Sequence, residues 1–435
     1  MKRVFCLLYL SLAFCSFAKA QQNVLQLSDA VNIALKNSLD IQLAKNKIAA
    51  DSINNHIGVA GGLPLVTGNL ADNESVSNIN QKLNSGTDTK RNGAATNNLT
   101  AGVTGSILLY NGGRVVATKK RLAELKLQSD QQLNSQIQNI LADVMIAYYD
   151  VVRQQNYIKT INLSIQASNQ QLQIVKVRQS AGMANNADLF QAQIDLNVLQ
   201  QSRLAQQLVI DQSKAELMRL LTLKADSSYT IADTAITVDK GLTLDLILNS
   251  LSKNADIIAA DKQIRINELI VKEVFAQRYP SVRANAGYNF SRNQAAAGNV
   301  LLNQNFGPTI GVSVAIPIYN GSIFKRQQKV AAIDVRNAGL QKDILMRDYS
   351  AQAVKQYQSY TNTISQLDSA KQNYILSGKL LDLTLFRFKL RQATILEVRT
   401  AQQSFEESGF RLVNLNFAAK SAEIQLKRLA NQLTL

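Results

Sequence analysis

Cysteine, histidine and tryptophan are nearly missing from this chain of 435 residues, which has two, one and none of them respectively. Both cysteines, Cys6 and Cys15, lie in a short apolar run that follows two basic residues and ends in small residues at 18–20. This pattern predicts an export signal over residues 1–20, too short to cross a membrane as a helix. The mature chain is then free of cysteine, which excludes disulfides and thiolate chemistry.

A lipid-modification signal at Cys15 is the less favoured alternative, because bulky Phe14 stands where such a signal has a small residue. The single histidine, His56, has no partner motif, and the sequence has no glycine-rich phosphate-binding loop. Any metal site would have to be built from carboxylates alone. We therefore expect no enzyme activity, no cofactor and no metal site.

Acidic residues are fewer than basic ones, so the formal net charge is +16, and removal of residues 1–20 lowers it to +13. Such a charge raises the question of nucleic acid as a partner. The basic residues, however, are interleaved with Gln, Asn and acidic residues along helical segments, which is typical of solvated helix faces. We expect no nucleic-acid partner.

An internal repeat organises the chain. The segment LKNSLDIQLAKNKI, which begins at Leu35, resembles LSKNADIIAADKQI, which begins 216 residues later. Further along, the shift is 209, and there Tyr110-Asn111-Gly112 matches Tyr319-Asn320-Gly321. The change in the shift falls between predicted strands, where loop length varies freely. The predicted copies are residues 21–222 and 243–435, joined by a strand-prone linker at 223–242.

Each copy is predicted to contain a helix, two strands, a long helix and a last helix. In both long helices mostly apolar residues recur at every seventh position, which predicts left-handed coiled-coil packing. A helix of about 68 residues is on the order of 100 Å long, which suits the wall of a tube rather than a compact globule. The predicted hairpins cover 63–110 and 280–319, and the predicted helices cover 28–61, 113–180, 186–221, 243–279, 322–390 and 395–433.

The strands alternate between apolar and polar residues. After Pro280 the even positions up to 290 are apolar and the odd ones mostly polar, and residues 310–318 repeat the alternation. One apolar and one polar face suit a transmembrane barrel strand, although a half-buried soluble sheet has the same period. The hairpins are isolated and have polar loops, which favours the interpretation as transmembrane strands over a soluble sheet. Four strands cannot close a barrel, and lipid does not tolerate bare edges, so several chains must contribute.

Each YNG motif is predicted to be the corner where a barrel strand becomes a tunnel helix, with Asn as the cap and Gly relieving the turn. Aromatic residues near both ends of the strands would form interfacial girdles. The corner residues are Tyr110, Asn111, Gly112, Tyr319, Asn320 and Gly321, and the aromatic residues toward the other end are Tyr288, Phe290 and Phe306.

These features resemble the TolC-like outer-membrane efflux and secretion channels. The resemblance covers essentially the whole mature chain and rests on the element order of both copies, the LLYNGG and IPIYNGS corners, and the stretch VRQSAGMANNADLFQAQIDL. It implies a mainly α fold with a membrane β-barrel portion. In this fold a homotrimer forms a twelve-stranded outer-membrane barrel that is continuous with a long periplasmic α-helical barrel.

The resemblance also implies a function and a location. It indicates the passive exit duct of a tripartite efflux or type I secretion system in the outer membrane of a Gram-negative bacterium. The implied partners are a periplasmic adaptor protein, an inner-membrane pump of antiporter or ABC type, and outer-membrane lipid. The alternative is an exported periplasmic or surface coiled-coil scaffold or adhesin, whose strands form a small head and which stays soluble after export.

The resemblance places the functional residues at the periplasmic tips, where the helix pairs turn. Gly182 is a natural helix stop in the first tip, and Arg391 stands at the equivalent position of the second, a departure from the usual glycine. The implied gate or constriction residues are Asp188, Glu397 and Phe388. Arg399, close to Glu397, is a further candidate whose positive charge would weaken cation selectivity. The implied adaptor-docking turns contain Gly182, Asn185, Arg391 and Thr394.

The two tip carboxylates also have a structural interpretation. Thr394-x-x-Glu397 has the form of a capping box, and Asn185-x-x-Asp188 is similar. Asp188 and Glu397 are therefore predicted to cap the last helix of each copy, a role that does not exclude lining the lumen.

Overall fold

A computed structural model describes residues 23–82, 84, 86, 88–224, 226, 229–298 and 300–433. The predicted export signal and both cysteines lie outside these residues. The described residues divide into two compact units. The first unit draws on Met1–Lys45, Gln132–Ile257 and Leu345–Leu435, and the second on Asn46–Gln131 and Ile258–Ile344.

The elements follow the predicted order of helix, strand, strand, long helix and helix in both copies, which confirms the duplicated fold. A 3₁₀ turn, Leu251–Lys253, lies between the helices Leu244–Ser250 and Ala255–Ala276. The elements are β1 (Asn23–Leu25), α1 (Leu27–Asn37), α2 (Leu39–Asn54), β2 (Leu65–Lys82), β3 (Asp88–Tyr110), α3 (Arg114–Ser180), α4 (Asn186–Leu220), β4 (Tyr229–Ile231), α5 (Leu244–Ser250), α6 (Ala255–Ala276), β5 (Ser281–Ala295), β6 (Leu302–Ala315), α7 (Ile323–Lys389) and α8 (Ile395–Leu429).

The first helix of each copy is broken, which corrects the continuous helices predicted over 28–61 and 243–279. At Ser38 the backbone is non-helical, and the Ser38 hydroxyl accepts a bond from the Ile41 N–H at 3.4 Å. Asn254 is extended, and its side-chain oxygen accepts a bond from the Asp256 N–H at 2.9 Å. Such local side-chain bonds compete with helical ones, so each residue ends one helix and begins the next.

The first unit is held together by the predicted seven-residue stripes. None of the stripe residues is exposed, and several, such as Val144, Val151 and Ala353, have no accessible surface. This burial confirms the coiled-coil packing predicted for both long helices. The stripes are Ile137, Val144, Val151, Ile158, Ile165 and Leu172 in α3, and Met346, Ala353, Tyr360, Leu367, Tyr374 and Leu381 in α7.

The linker between the copies is fixed by several contacts within the first unit. Within the linker, β4 pairs in parallel with β1. Further along, the backbone N–H of Asp239 donates to the carboxylate of Glu423, which is 2% exposed and also accepts bonds from Lys420 and Lys427. A buried carboxylate with several donors is satisfied, so the linker is anchored rather than free.

The second unit contains a four-stranded antiparallel sheet in the order β2-β3-β5-β6. The sequence indicates β2 only weakly, because Gly68 and Asp72 interrupt its apolar positions, yet β2 extends for 18 residues. Its pairing with β3 along this length shows tertiary context overriding local preference. Among the described residues, no helix has an apolar stretch long enough to cross a bilayer.

Candidate functional site

The register of the strand pairs places the apolar positions of all four strands on the same face of the sheet. The side chains of this face are largely exposed: Leu70 is 76% exposed, Phe306 70% and Ile310 89%. Exposed apolar surface of this extent marks a contact with lipid or protein. Three successive rows of paired residues on this face are Leu70–Ala101–Phe290–Phe306, Gly68–Val103–Tyr288–Pro308 and Val66–Gly105–Ala286–Ile310.

The apolar face has defined ends. At one end Tyr110 pairs with Val282, and at the other Phe290 pairs with Phe306. From Val282 to Phe290 the strand rises about 26 Å at roughly 3.3 Å per residue, close to the apolar band of ~25 Å on membrane barrels. The next row, Asp72–Leu99–Arg292–Gln304, is mainly polar.

The opposite face of the sheet is polar and carries its own hydrogen bonds. The hydroxyls of Thr67 and Thr104 lie 3.1 Å apart, and the Asn289 side chain donates to the Thr309 hydroxyl at 3.3 Å. A sheet with one exposed apolar face and one polar face separates two environments, as in a wall between lipid and water.

The sheet does not close on itself within the described residues. β2 and β6 are its outermost strands, and each pairs along one side only. Pro308 lies in β6, an outermost strand, which is where proline is found in sheets. In lipid such edges require partners.

At the first corner, Asn111 caps the long helix as predicted. Its side-chain oxygen accepts a bond from the Val115 N–H at 3.4 Å, and its carbonyl accepts one from the Arg114 N–H at 3.3 Å. Gly112 has φ +68° and packs closely on the end of α6: an added Cβ would lie 2.6 Å from the Ala276 carbonyl oxygen.

The second corner repeats this backbone conformation in more open surroundings. Gly321 has φ +65°, and an added Cβ would meet nothing within 4 Å. Ser322, which corresponds to Gly113 of the first copy, also has a positive φ of 63°. The two corners therefore share a turn but differ in how tightly it is packed.

At the tips, both helix–helix turns end their first helix in the same way. In the first tip, Gly182 has φ 71°, and the N–H groups of Gly182 and Met183 donate to the carbonyls of Gln179 and Arg178 at 2.9 and 2.7 Å. This pair of bonds is the Schellman motif, which satisfies the last carbonyls of a helix.

The second tip forms the same motif without glycine. Arg391 has φ 64°, and the N–H groups of Arg391 and Gln392 donate to the carbonyls of Phe388 and Arg387 at 3.1 and 2.8 Å. The guanidinium of Arg391 also contacts the sulfur of Met183 in the first tip. The departure from glycine therefore leaves the turn geometry intact.

The capping predicted for the tip carboxylates is confirmed for Glu397 but differs at the first tip, where the Asn185 side chain caps the helix and Asp188 contributes its backbone N–H. Thr394 and Glu397 form a complete capping box: the Thr394 N–H donates to the Glu397 carboxylate at 2.6 Å, and the Glu397 N–H donates to the Thr394 hydroxyl at 3.2 Å. In the first tip, the Asp188 N–H donates to the Asn185 side chain at 2.8 Å. The bond from the Thr394 N–H is the main cause that lowers the pKa of Glu397, so this carboxylate keeps its charge at lower pH than an ordinary glutamate.

Phe388 and Arg399 both make contacts between helices within the chain. Phe388 is 4% exposed, and the Arg178 guanidinium lies 4.4 Å from its ring centroid, so its side chain packs between helices. Arg399 forms an ion pair with Asp195 at 2.5 Å, which joins the last helices of the two copies. Sequence reasoning missed Asp195, because the repeat relates positions in the two copies but does not identify contacts between them.

Comparisons with known proteins agree with this geometry. A model of the family described as "Outer membrane efflux protein" matches residues 30–222. Outer membrane protein TolC of Vibrio cholerae is 24% identical over 350 residues, which cover 77% of each chain. The proteases secretion protein PrtF of Dickeya chrysanthemi is 20% identical over 430 residues, 96% of this chain and 90% of that protein.

Solved structures show the same fold. The outer membrane protein VceC of Vibrio cholerae superposes with a TM-score of 0.75 at 19% identity, over 93% of this chain and 96% of that one. The CmeC outer membrane channel of Campylobacter jejuni superposes with a TM-score of 0.75 at 14% identity, over 93% and 85% of the two chains.

Proposed function

We infer that this chain, which belongs to the TolC-like family of outer-membrane efflux proteins, is the outer-membrane exit duct of a tripartite efflux or type I secretion system. One observation carries this function: the sheet has an exposed apolar face, a polar face and two unpaired edges. Such a sheet is stable in lipid only as part of a closed wall around water. A soluble scaffold would have to cover the apolar face with its own residues.

We propose that three chains complete the wall. Strand directions alternate across the sheet, so the β6 edge of one copy meets the β2 edge of the next in the antiparallel sense and continues the pattern. Three copies of four strands make a barrel of twelve. The smallest membrane barrels have about eight strands, so one chain alone is too few.

The helices of the first unit also leave surface for neighbouring copies. Toward its end, α7 carries an exposed apolar stripe with seven-residue spacing, in which Leu376 is 60% exposed and Leu383 56%. Such spacing fits packing against a further helix, and neighbouring copies of the chain would supply it. The members of this stripe in α7 are Leu376, Leu380 and Leu383, and Leu390 continues it directly after the helix.

Family members work with a periplasmic adaptor and an inner-membrane pump. We propose that the adaptor docks at the two tip turns of this chain and that the duct passes cargo without catalysing a reaction. The turns are rigid docking features, because each is fixed by a Schellman motif and by a capped following helix. The proposed docking residues are Gly182, Asn185, Arg391 and Thr394.

We also propose that Asp188 and Glu397 bias the tip of the duct toward cations. In planar bilayers, the double variant Asp188→Asn, Glu397→Gln should lower the cation-to-anion permeability ratio, because three chains lose six carboxylates. The amide of Gln can replace the Glu397 carboxylate in the capping box. At the first tip Asn185 caps the helix through the backbone N–H of Asp188, which the Asn substitution keeps. Asp368→Asn, which removes an exposed acid away from the tips, is the matched control.

An unchanged permeability ratio in the double variant would reject these two carboxylates as selectivity determinants. The recording also tests the duct itself. Wild-type protein that remains in the soluble fraction and gives no conductance would instead support the scaffold alternative.

A further inference from the structure

Acidic residues are absent from two long segments of the sequence that meet at the corners. Residues 89–123 and 274–333 contain no Asp or Glu. The same segments contain twelve basic residues. Nine of them lie around the junction of strands and helices, and Lys90, Arg91 and Arg292 lie toward the other end of the sheet. The basic residues are Lys90, Arg91, Arg114, Lys119, Lys120, Arg121, Arg278, Arg283, Arg292, Lys325, Arg326 and Lys329.

Two of these arginines line one cavity at the first corner. The cavity has a volume of about 490 Å³ and lies where β3, β5 and β6 meet the neighbouring helix ends. Arg283 pairs across the sheet with Leu108 and Ser313, which places it on the polar face. Polar or charged residues that line the cavity are Asn111, Arg114, Gln277, Ser281 and Arg283.

The donors in this cavity lack acceptors. Among the described residues, neither Arg114 nor Arg283 forms an ion pair, whereas nearby Arg121 is paired with Glu273 at 2.7 Å. The side-chain nitrogen of Asn111 is buried and has no hydrogen-bond partner in the part of the chain that the structure describes. A buried donor without an acceptor is costly, so this position is suited to an incoming anion.

We propose that this cavity binds the carboxylate or phosphate group of small anionic cargo. Guanidinium groups hold such groups through paired, charge-assisted hydrogen bonds, and the side-chain amide of Asn111 adds a neutral donor. The inference rests on the proposed function, because the polar face lines the lumen only in a closed barrel. Three chains then present a ring of such sites where the helical tunnel opens into the barrel.

The site makes a specific contribution beyond general positive charge. A diffuse positive potential attracts every anion and is screened by salt, with a Debye length of about 10 Å at 0.1 M. A cavity with two guanidiniums and an amide instead selects anions that accept several bonds at once. A multivalent oxyanion should therefore bind far better than chloride.

Inorganic pyrophosphate is the probe for this site. Added to wild-type channels in planar bilayers, it should reduce the conductance in a saturable manner. In the variant Arg114→Gln, Arg283→Gln, the half-blocking concentration should rise roughly tenfold or more, because a neutral amide cannot replace the charge-assisted hydrogen bonds of a guanidinium. The control Lys120→Gln, Arg278→Gln removes the same charge from the same segments but none of the cavity lining, so its half-blocking concentration should change less than about threefold.

Equal weakening in both variants would show a diffuse field rather than a site, and absence of saturable block would also overturn the proposal. Calorimetric titration of pyrophosphate into the protein in uncharged detergent measures binding independently of conductance. The two measurements test the two proposals separately. The proposed duct function is rejected if the wild type does not conduct. The proposed site is rejected if pyrophosphate binding is unchanged in the cavity variant. A third outcome is that the cavity variant binds pyrophosphate as the wild type does but no longer binds vesicles of anionic phospholipid. That result would assign the arginines to lipid headgroups and overturn the cargo site.

Discussion

Ile310→Arg should destabilise the assembled protein by about 2–4 kcal/mol, the cost of an arginine on the lipid face at the middle of a membrane barrel. Ile310 is 89% exposed and lies in the middle row of the apolar band, paired with Ala286. On a soluble protein, a substitution at so exposed a position would change the free energy of unfolding by less than about 0.5 kcal/mol. The size of the effect therefore reports whether this face contacts lipid.

The adjacent residue provides a matched control. Gly311 occupies a position on the polar face, where it pairs with Asn285, and an added Cβ there would meet nothing within 4 Å. Gly311→Arg introduces the same side chain one position along the same strand and should cost little, because its charge stays in water. Urea titration of protein folded into lipid vesicles measures both variants. Equal effects of the two substitutions would contradict a lipid-facing role for the apolar side.

Among glycine-to-alanine substitutions at the two corners, Gly112→Ala should lower the stability of the protein most. The backbone strain of a positive φ costs roughly 1–2 kcal/mol for a residue with a Cβ. The added carbon would also lie 2.6 Å from the Ala276 carbonyl oxygen and 2.7 Å from the Tyr279 Cβ. Forced overpacking typically costs a further ~1–3 kcal/mol, so we expect a total of about 2–5 kcal/mol.

Gly321→Ala isolates the two contributions. This glycine has nearly the same φ but open surroundings, so only the backbone strain of about 1–2 kcal/mol should remain. The shift in thermal unfolding temperature of each purified variant in detergent provides the comparison. A smaller shift for Gly112→Ala than for Gly321→Ala would show that the first corner is not packed against α6 as described.

The sequence predicts the repeated features of this fold well, because they depend on local periodicity. The seven-residue stripes are unexposed along both long helices, and the strand alternation becomes one apolar face once the strands pair in register. The second tip is informative, since Arg391 adopts the left-handed conformation that glycine adopts at Gly182. There the hydrogen-bond pattern of the turn outweighs the preference of a single residue.

Two kinds of feature were less accessible to sequence reasoning: helix breaks made by a single local side chain, and contacts between distant segments. The breaks at Ser38 and Asn254 come from single side-chain bonds within otherwise helical patterns. The burial of Phe388 and the ion pair of Arg399 with Asp195 depend on how the two copies pack. The cavity at the first corner likewise joins Arg114, at the start of α3, with Arg283 of β5, which are far apart in the sequence.

The central claim is that each chain supplies one third of a closed wall, and the mass of the purified protein tests it most directly. Light scattering of mature protein extracted from membranes, corrected for bound detergent, should give three times the mass of one chain. A single chain that stays dispersed in water without detergent would contradict the account.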